Sequence, residues 1–147
     1  NSYPLKVKGL IDRVDSWGNR TRIVDYKTGK CISENVTIKF DSKDVIENYQ
    51  EEIPKKLEKA KYVLQLGIYN LLYHKSQGLF PNEAGIISLT QLSSGFQKLN
   101  ENNTSLLINE NHIQLVENLI IKIAENILES DSFVHNNKAK YCEYCEK

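Results

Sequence analysis

Residues 11–29 read IDRVDSWGNRTRIVDYKTG, and the turn inside this stretch sets the register of everything around it. Strand-type residues run from Leu5 to Asp15 and again from Arg20 to Lys27, with Trp17-Gly18-Asn19-Arg20 between them. Gly-Asn at the centre suits a tight type II′ hairpin, in which glycine takes the positive φ. Trp17 then faces Arg20, and each step outward adds a pair: Asp15 with Arg22, Val14 with Ile23, Arg13 with Val24, and Asp12 with Asp25. Side chains alternate along a strand, so Asp12, Val14, Ile23, Asp25 and Lys27 share one face. Asp15 and Arg22 form an opposite-charge pair on the other. Directly opposed side chains have Cβ atoms roughly 4.5–5.5 Å apart, where like charges are destabilising. One rung of this hairpin therefore accepts a cost.

Two explanations compete. The face is solvated and screened by water and salt, or the register slips by one residue, and nothing further follows. Alternatively a divalent cation between the carboxylates turns repulsion into coordination. Two carboxylates with waters suit Mg²⁺ or Mn²⁺. Lys27, two residues after Asp25 on the same face, then stands beside the reacting water and offsets negative charge at a phosphate.

The run Gly9-Leu10-Ile11-Asp12-Arg13-Val14-Asp15, followed by Ile23-Val24-Asp25-Tyr26-Lys27-Thr28-Gly29, resembles the PD-(D/E)xK nuclease core of the RecB and AddB type. A lone D-x-K is weak, whereas G-x-I-D-R-x-D and I-V-D-Y-K-T-G at this separation agree in spacing and flanks together. The resemblance puts Asp12 at the family's first aspartate, and Asp25 and Lys27 at its D-x-K element. It implies that Asp12, Asp25 and the backbone carbonyl of Tyr26 hold Mg²⁺ or Mn²⁺, with Lys27 orienting the nucleophilic water.

A third element lies on a helix. From Lys56 to His74, Leu57, Ala60, Leu64, Ile68 and Leu71 recur at three- and four-residue spacing, as an amphipathic helix requires. Gln65 and Tyr69 are four apart and stack on one side of it. Taken alone they are a surface amide and a half-buried tyrosine. In the family a Q-x-x-x-Y motif braces the lysine and the DNA backbone, and Gln65 and Tyr69 match it.

The 147 residues suffice for one domain with a proper core and are too few for two ordinary ones. Hydrophobic residues at 40% and charged residues at 26% are normal for a soluble globular chain. No apolar run approaches the ~20 residues that cross a bilayer, and the N-terminus lacks a signal-peptide pattern, so the expectation is a cytoplasmic protein without a membrane anchor. With 19 basic and 19 acidic residues, net charge supplies no long-range attraction to DNA, and affinity has to come from a local patch or a larger assembly.

The remaining elements are read coarsely. Residues 30–56 form a charged connection in which Val36 to Phe40 alternates as a short strand or loop, and Asp44 to Tyr49 forms a helical turn. Ala84 to Leu92 reads as a buried strand, returning after a helix and hence parallel to its neighbour. Residues 93–105 read as a loop. A last helix spans about His112 to Glu129, with Ile113, Val116, Ile120, Ile123 and Ile127 along its stripe and Asn111, or alternatively Asn109, as its cap.

This order predicts an α/β fold with a mixed central sheet flanked by helices, and the resemblance implies a restriction-endonuclease-like core. The family's first helix, bearing a histidine or glutamate ligand, has no counterpart here, and His74, His112 and His135 all lie downstream of the motifs. The chain is therefore expected to be a single nuclease-like domain, the C-terminal piece of a larger protein. Its tail, residues 133–147, ends in Tyr141-Cys142-Glu143-Tyr144-Cys145. C-x-x-C has metal-ligand spacing. In RecB-like and AddB-like nucleases such cysteines help bind a [4Fe-4S] cluster, which needs four thiolates, and this sequence has three cysteines in all. Cys142 and Cys145 are thus either an incomplete cluster site or two reduced thiols, and Cys31 is not where the family places a ligand.

What the resemblance implies is a metal-dependent deoxyribonuclease of the RecB-like exonuclease type, acting on DNA in recombination or repair beside a helicase. The alternative is a nuclease-like module that no longer cuts, and that binds DNA or braces a helicase partner.

Overall fold

The hairpin register is as the turn dictates. In the computed structural model, which describes residues 4–38 and 61–132, β1 (Arg13–Trp17) pairs antiparallel with β2 (Arg20–Lys27). Trp17 faces Arg20, Asp15 faces Arg22 and Arg13 faces Val24. Gly18 takes φ +56°, the left-handed conformation that the turn needs and glycine adopts without strain.

The expected strand from Leu5 is shorter than its composition suggested, since β1 begins only at Arg13. Continued pairing would set Ile11 opposite Tyr26 and give its carbonyl the Tyr26 N–H. That N–H donates instead to Asp12 Oδ2 at 3.0 Å, so a side chain ends the ladder one rung before Asp12 and Asp25 would meet. Upstream, Gly9 lies against α1 (Lys61–Gln77), where a Cβ would come within 2.8 Å of Leu72 Cδ1.

The central sheet has the order β1-β2-β4-β5. β4 (Glu83–Ser88) runs parallel to β2 after the helix, as a crossover connection predicts, and β5 (Phe96–Lys98) adds antiparallel to β4. The β4 strand stops at Ser88 rather than Leu92, because the chain turns at Leu89 and Thr90 and leaves Leu89 and Leu92 exposed.

Residues 93–105, expected as loop, hold β5 and two of the three strands of a second small sheet. Its strands are β3 (Thr37–Ile38), β6 (Asn100–Glu101) and β7 (Thr104–Ser105), in the order β3-β6-β7. Asn102 and Asn103 both take positive φ and form the two-residue turn of the β6–β7 hairpin, a conformation asparagine tolerates better than most residues. The strand expected at Val36 to Phe40 appears as β3, with Phe40 outside the described residues. So are the helical turn at Asp44 to Tyr49, residues 56–60 of the predicted helix, His135, Cys142 and Cys145.

Helix α1 packs on β2 and β4 with one side and on α2 (Glu110–Glu129) with another. Its burial does not follow the predicted stripe. Leu66 and Asn70 are fully buried and Val63 nearly so, whereas Leu64 and Ile68 are only half-buried. A helix covered on two sides loses the single apolar face that periodicity detects. Ile23, Leu66, Ile86 and Ile113 lie at the centre of the core. Helix α2 starts two residues before the expected His112. Asn109 caps it, its side chain accepting from His112 N at 3.1 Å, so the second of the two predicted caps is used. The expected mixed α/β architecture is present. No helix among the described residues is long and apolar enough to cross a membrane.

Candidate active site

Alternation along β2 sends Ile23, Asp25 and Lys27 toward α1. Ile23 joins the apolar core, but Asp25 is also buried, at 2% exposure. A carboxylate so far from water needs charge or hydrogen-bond compensation. Gln65 supplies part of it: Nε2 donates to Asp25 Oδ1 at 2.9 Å, while Oε1 accepts from Lys27 Nζ at 2.8 Å. The ammonium itself sits 2.8 Å from Asp25 Oδ2 as an ion pair. Tyr69, one turn along α1, places its hydroxyl 2.8 Å from Gln65 Nε2 and 3.5 Å from Asp25 Oδ1. Four of the residues singled out in the sequence thus form one connected cluster at the helix–strand contact.

Asp12 joins from the end of β1. Its bond to Tyr26 N sets its carboxylate beside the backbone that follows Asp25. In an antiparallel ladder a residue's N–H and C=O point to the same side. The Tyr26 carbonyl therefore points toward the Asp12 side, where strand pairing has ended. Asp25 Oδ2 is buried and accepts no hydrogen bond of good geometry, although Lys27 Nζ is close. Two carboxylates, one with an oxygen to spare, and a carbonyl freed from the ladder make an all-oxygen donor set of the kind hard divalent cations take. The residues present fit such an ion. Among the described residues, no group of three or more His, Cys, Asp and Glu could hold a metal.

Sequence inspection missed one neighbour. Lys27 Nζ lies 5.0 Å from the centre of the Tyr62 ring, a cation–π contact added to its polar partners. Tyr62, Gln65 and Tyr69 follow i, i+3, i+7 spacing, and that spacing was the available signal. Ser88 stands beside Lys27 in the β2–β4 register, and Leu89 N donates to the Lys27 carbonyl at 2.8 Å, fixing the strand end.

The other sheet face carries a separate network. Asp15 accepts from Arg22 Nη2 at 2.7 Å and also from Arg13, and Arg22 lies between the rings of Trp17 and Phe96. The hydrogen bond from Arg22, then that from Arg13, holds the Asp15 carboxyl below the usual range, and Asp15 in turn raises Arg13. The predicted Asp15–Arg22 pair is therefore present and structural in character. Cys31 is buried, its backbone held by Gln91 and Gln97.

A family model for the PD-(D/E)XK nuclease superfamily matches residues 2–147. The chain belongs to the PD-(D/E)XK nuclease superfamily. Searches of curated proteins and of solved structures returned no match. Membership implies nuclease chemistry with DNA as substrate, and PD-(D/E)XK nucleases typically use divalent metal ions. The mixed sheet and paired helices are consistent with the restriction-endonuclease-like fold of that superfamily.

Proposed function

We propose that this chain hydrolyses DNA phosphodiesters at the Asp12, Asp25, Lys27, Gln65 and Tyr69 cluster, as a RecB-like exonuclease module. The observation that carries this is the Gln65 amide, which joins Asp25 and Lys27 in one hydrogen-bonded unit. Such an arrangement pre-sets a carboxylate and an ammonium before substrate arrives, and preorganised charge is the larger part of phosphoryl-transfer catalysis.

Asp12, Asp25 and the Tyr26 carbonyl would hold Mg²⁺ or Mn²⁺. When bound, the ion supplies neutralisation of the scissile phosphate and lowers the pKa of water. Lys27 orients that water and faces the charge that builds on phosphorus-bound oxygen. The water oxygen bonds to phosphorus, the bond to the leaving sugar oxygen breaks, and that oxygen takes up a proton. Gln65 and Tyr69 keep Lys27 and Asp25 in place, with Tyr62 as a further brace. The G-x-I-D-R-x-D and D-Y-K-T-G runs support the RecB-like assignment, and with it action on DNA ends in recombination or repair beside a helicase.

The test is degradation of linear and covalently closed DNA by the full chain with Mg²⁺ or Mn²⁺. Digestion of the linear form alone is expected, and Asp25→Ala and Lys27→Ala should each abolish it while retaining the circular-dichroism spectrum. Cleavage surviving in either variant overturns the assignment. Digestion of closed circles would overturn the exonuclease part only.

A further inference from the structure

A pocket of about 490 Å³ opens between residues 8–11 and the C-terminal half of α1, lined by Lys8, Gly9, Ile11, Leu72, Tyr73 and Ser76. Its volume is in the range of small-molecule sites, enough for a nucleobase. The pocket shares a wall with the cluster described above. Gly9 lies against Leu72 and Tyr69, and the Tyr69 hydroxyl is 3.5 Å from Asp25 Oδ1. Ile11 immediately precedes Asp12, so the same short segment lines the pocket and delivers a carboxylate to the site.

The chemistry of the lining is specific. Ile11 and Leu72 give aliphatic walls, Tyr73 gives a half-buried aromatic ring, and Ser76 closes one side with a small side chain whose hydroxyl donates to the Tyr73 carbonyl. Lys8 adds a cation, and residues 4–11 hold Lys6 and Lys8 without an acid. Lys8 has no ion-pair partner among the described residues. A ring and apolar walls beside an unneutralised lysine suit a base next to its phosphate, and proteins that bind single strands combine stacking rings with cations in this way. The net charge of the chain is zero, so any DNA affinity these residues supply themselves has to arise in a local patch of this kind.

We propose that this pocket takes the base of a nucleotide adjacent to the scissile phosphate in single-stranded DNA, with Tyr73 as the stacking partner and Lys8 on the neighbouring phosphate. The proposal rests on the nuclease reading for its orientation, since it places the scissile bond at Asp25. Gly9 lets the segment lie close to the helix: a Cβ there would come 2.8 Å from Leu72 Cδ1, and that side chain would have to shift.

The test uses the full chain and a short oligonucleotide carrying 2-aminopurine, titrated in EDTA so that no cleavage intervenes. Quenching of the 2-aminopurine is expected with the wild type and with Tyr73→Phe, which keeps the ring. Ser76→Phe fills the pocket without removing any core residue. It should weaken binding about ten-fold, as loss of one stacked base does, and should remove the quenching. Lys8→Gln should lower the slope of log affinity against log salt by about 0.7. In cleavage assays the Ser76→Phe effect should fall on KM, with kcat retained. Equal quenching and affinity in Ser76→Phe and wild type, or no binding of DNA by the wild type, overturns the pocket assignment. A wild type that binds through the pocket but does not cut overturns the nuclease reading alone. Cutting that is indifferent to Ser76→Phe overturns the pocket alone.

Discussion

Gln65 Nε2 lies 2.9 Å from Asp25 Oδ1, so an amide on a helix holds a carboxylate on a strand. The same side chain accepts from Lys27, which makes it the hinge between the two charges. Gln65→Ala should leave the fold intact, because the residue is only half-buried. Activity should drop by about 10- to 100-fold, the usual loss when a group that orients a ligand is removed. Cleavage kinetics beside a thermal melt would check this, and an unchanged kcat would refute the bracing role.

Asp12 and Asp25 supply the acidic side chains of the proposed cation site, so metal affinity should depend on both. Isothermal titration of Mn²⁺ into the wild type is expected to show binding that an Asp12→Asn/Asp25→Asn double variant lacks. Asp15→Asn serves as the control, since Asp15 is engaged by Arg13 and Arg22 on the other face of the sheet. Binding that persists in the double variant would place the ion elsewhere.

Much of this site was legible because its residues are local to strong signals. Gly18-Asn19 fixed the hairpin register, and register fixed which side chains share a face with Asp25. Helical spacing puts Gln65 and Tyr69 on one side of their helix, and it is the resemblance to the Q-x-x-x-Y motif that singles them out. What escaped notice depended on tertiary choices. The end of β1 is decided by Asp12 taking the Tyr26 N–H, a competition between side chain and ladder that composition does not reveal. The small strands between Phe96 and Ser105 are two or three residues long and read as loop, because strands that short carry no alternation. The buried face of α1 was misjudged since it packs against the sheet and α2 at once, and the fully buried Asn70 interrupts any apolar stripe.

Gly85 marks the closest approach in the sheet. A Cβ there would lie 2.4 Å from the Gln97 carbonyl oxygen and 2.7 Å from Phe96 Cζ, and the carbonyl belongs to the paired strand and has no room to retreat. Gly85→Ala should destabilise the fold by roughly 1–3 kcal/mol, the range for overpacking. Urea denaturation would measure it, and a midpoint equal to the wild type would show that β5 moves aside freely.

The α1–α2 contact carries a pH dependence that can be assigned to one group. His112 sits in the first turn of α2, 8% exposed, with Nε2 3.4 Å from Asn70 Nδ2. Burial pushes its pKa from 6.5 down to about 4. The folded protein thus keeps His112 neutral where the unfolded chain binds a proton. Its contribution is fully present above pH 6.5 and is lost progressively as pH falls from 6.5 toward 4, where the difference is worth roughly 3 kcal/mol. Asp15 has a depressed pKa and adds its own loss only at lower pH, below the ordinary carboxylate range. His74, close to Glu110 at the same helix contact, is retained in both proteins being compared. Urea midpoints at pH 7.5 and pH 4.5 should therefore fall steeply in the wild type. His112→Gln keeps a polar partner for Asn70 and cannot take up a proton, so it should flatten that fall while costing some stability at pH 7.5. An equally steep fall in His112→Gln would move the acid sensitivity to another residue.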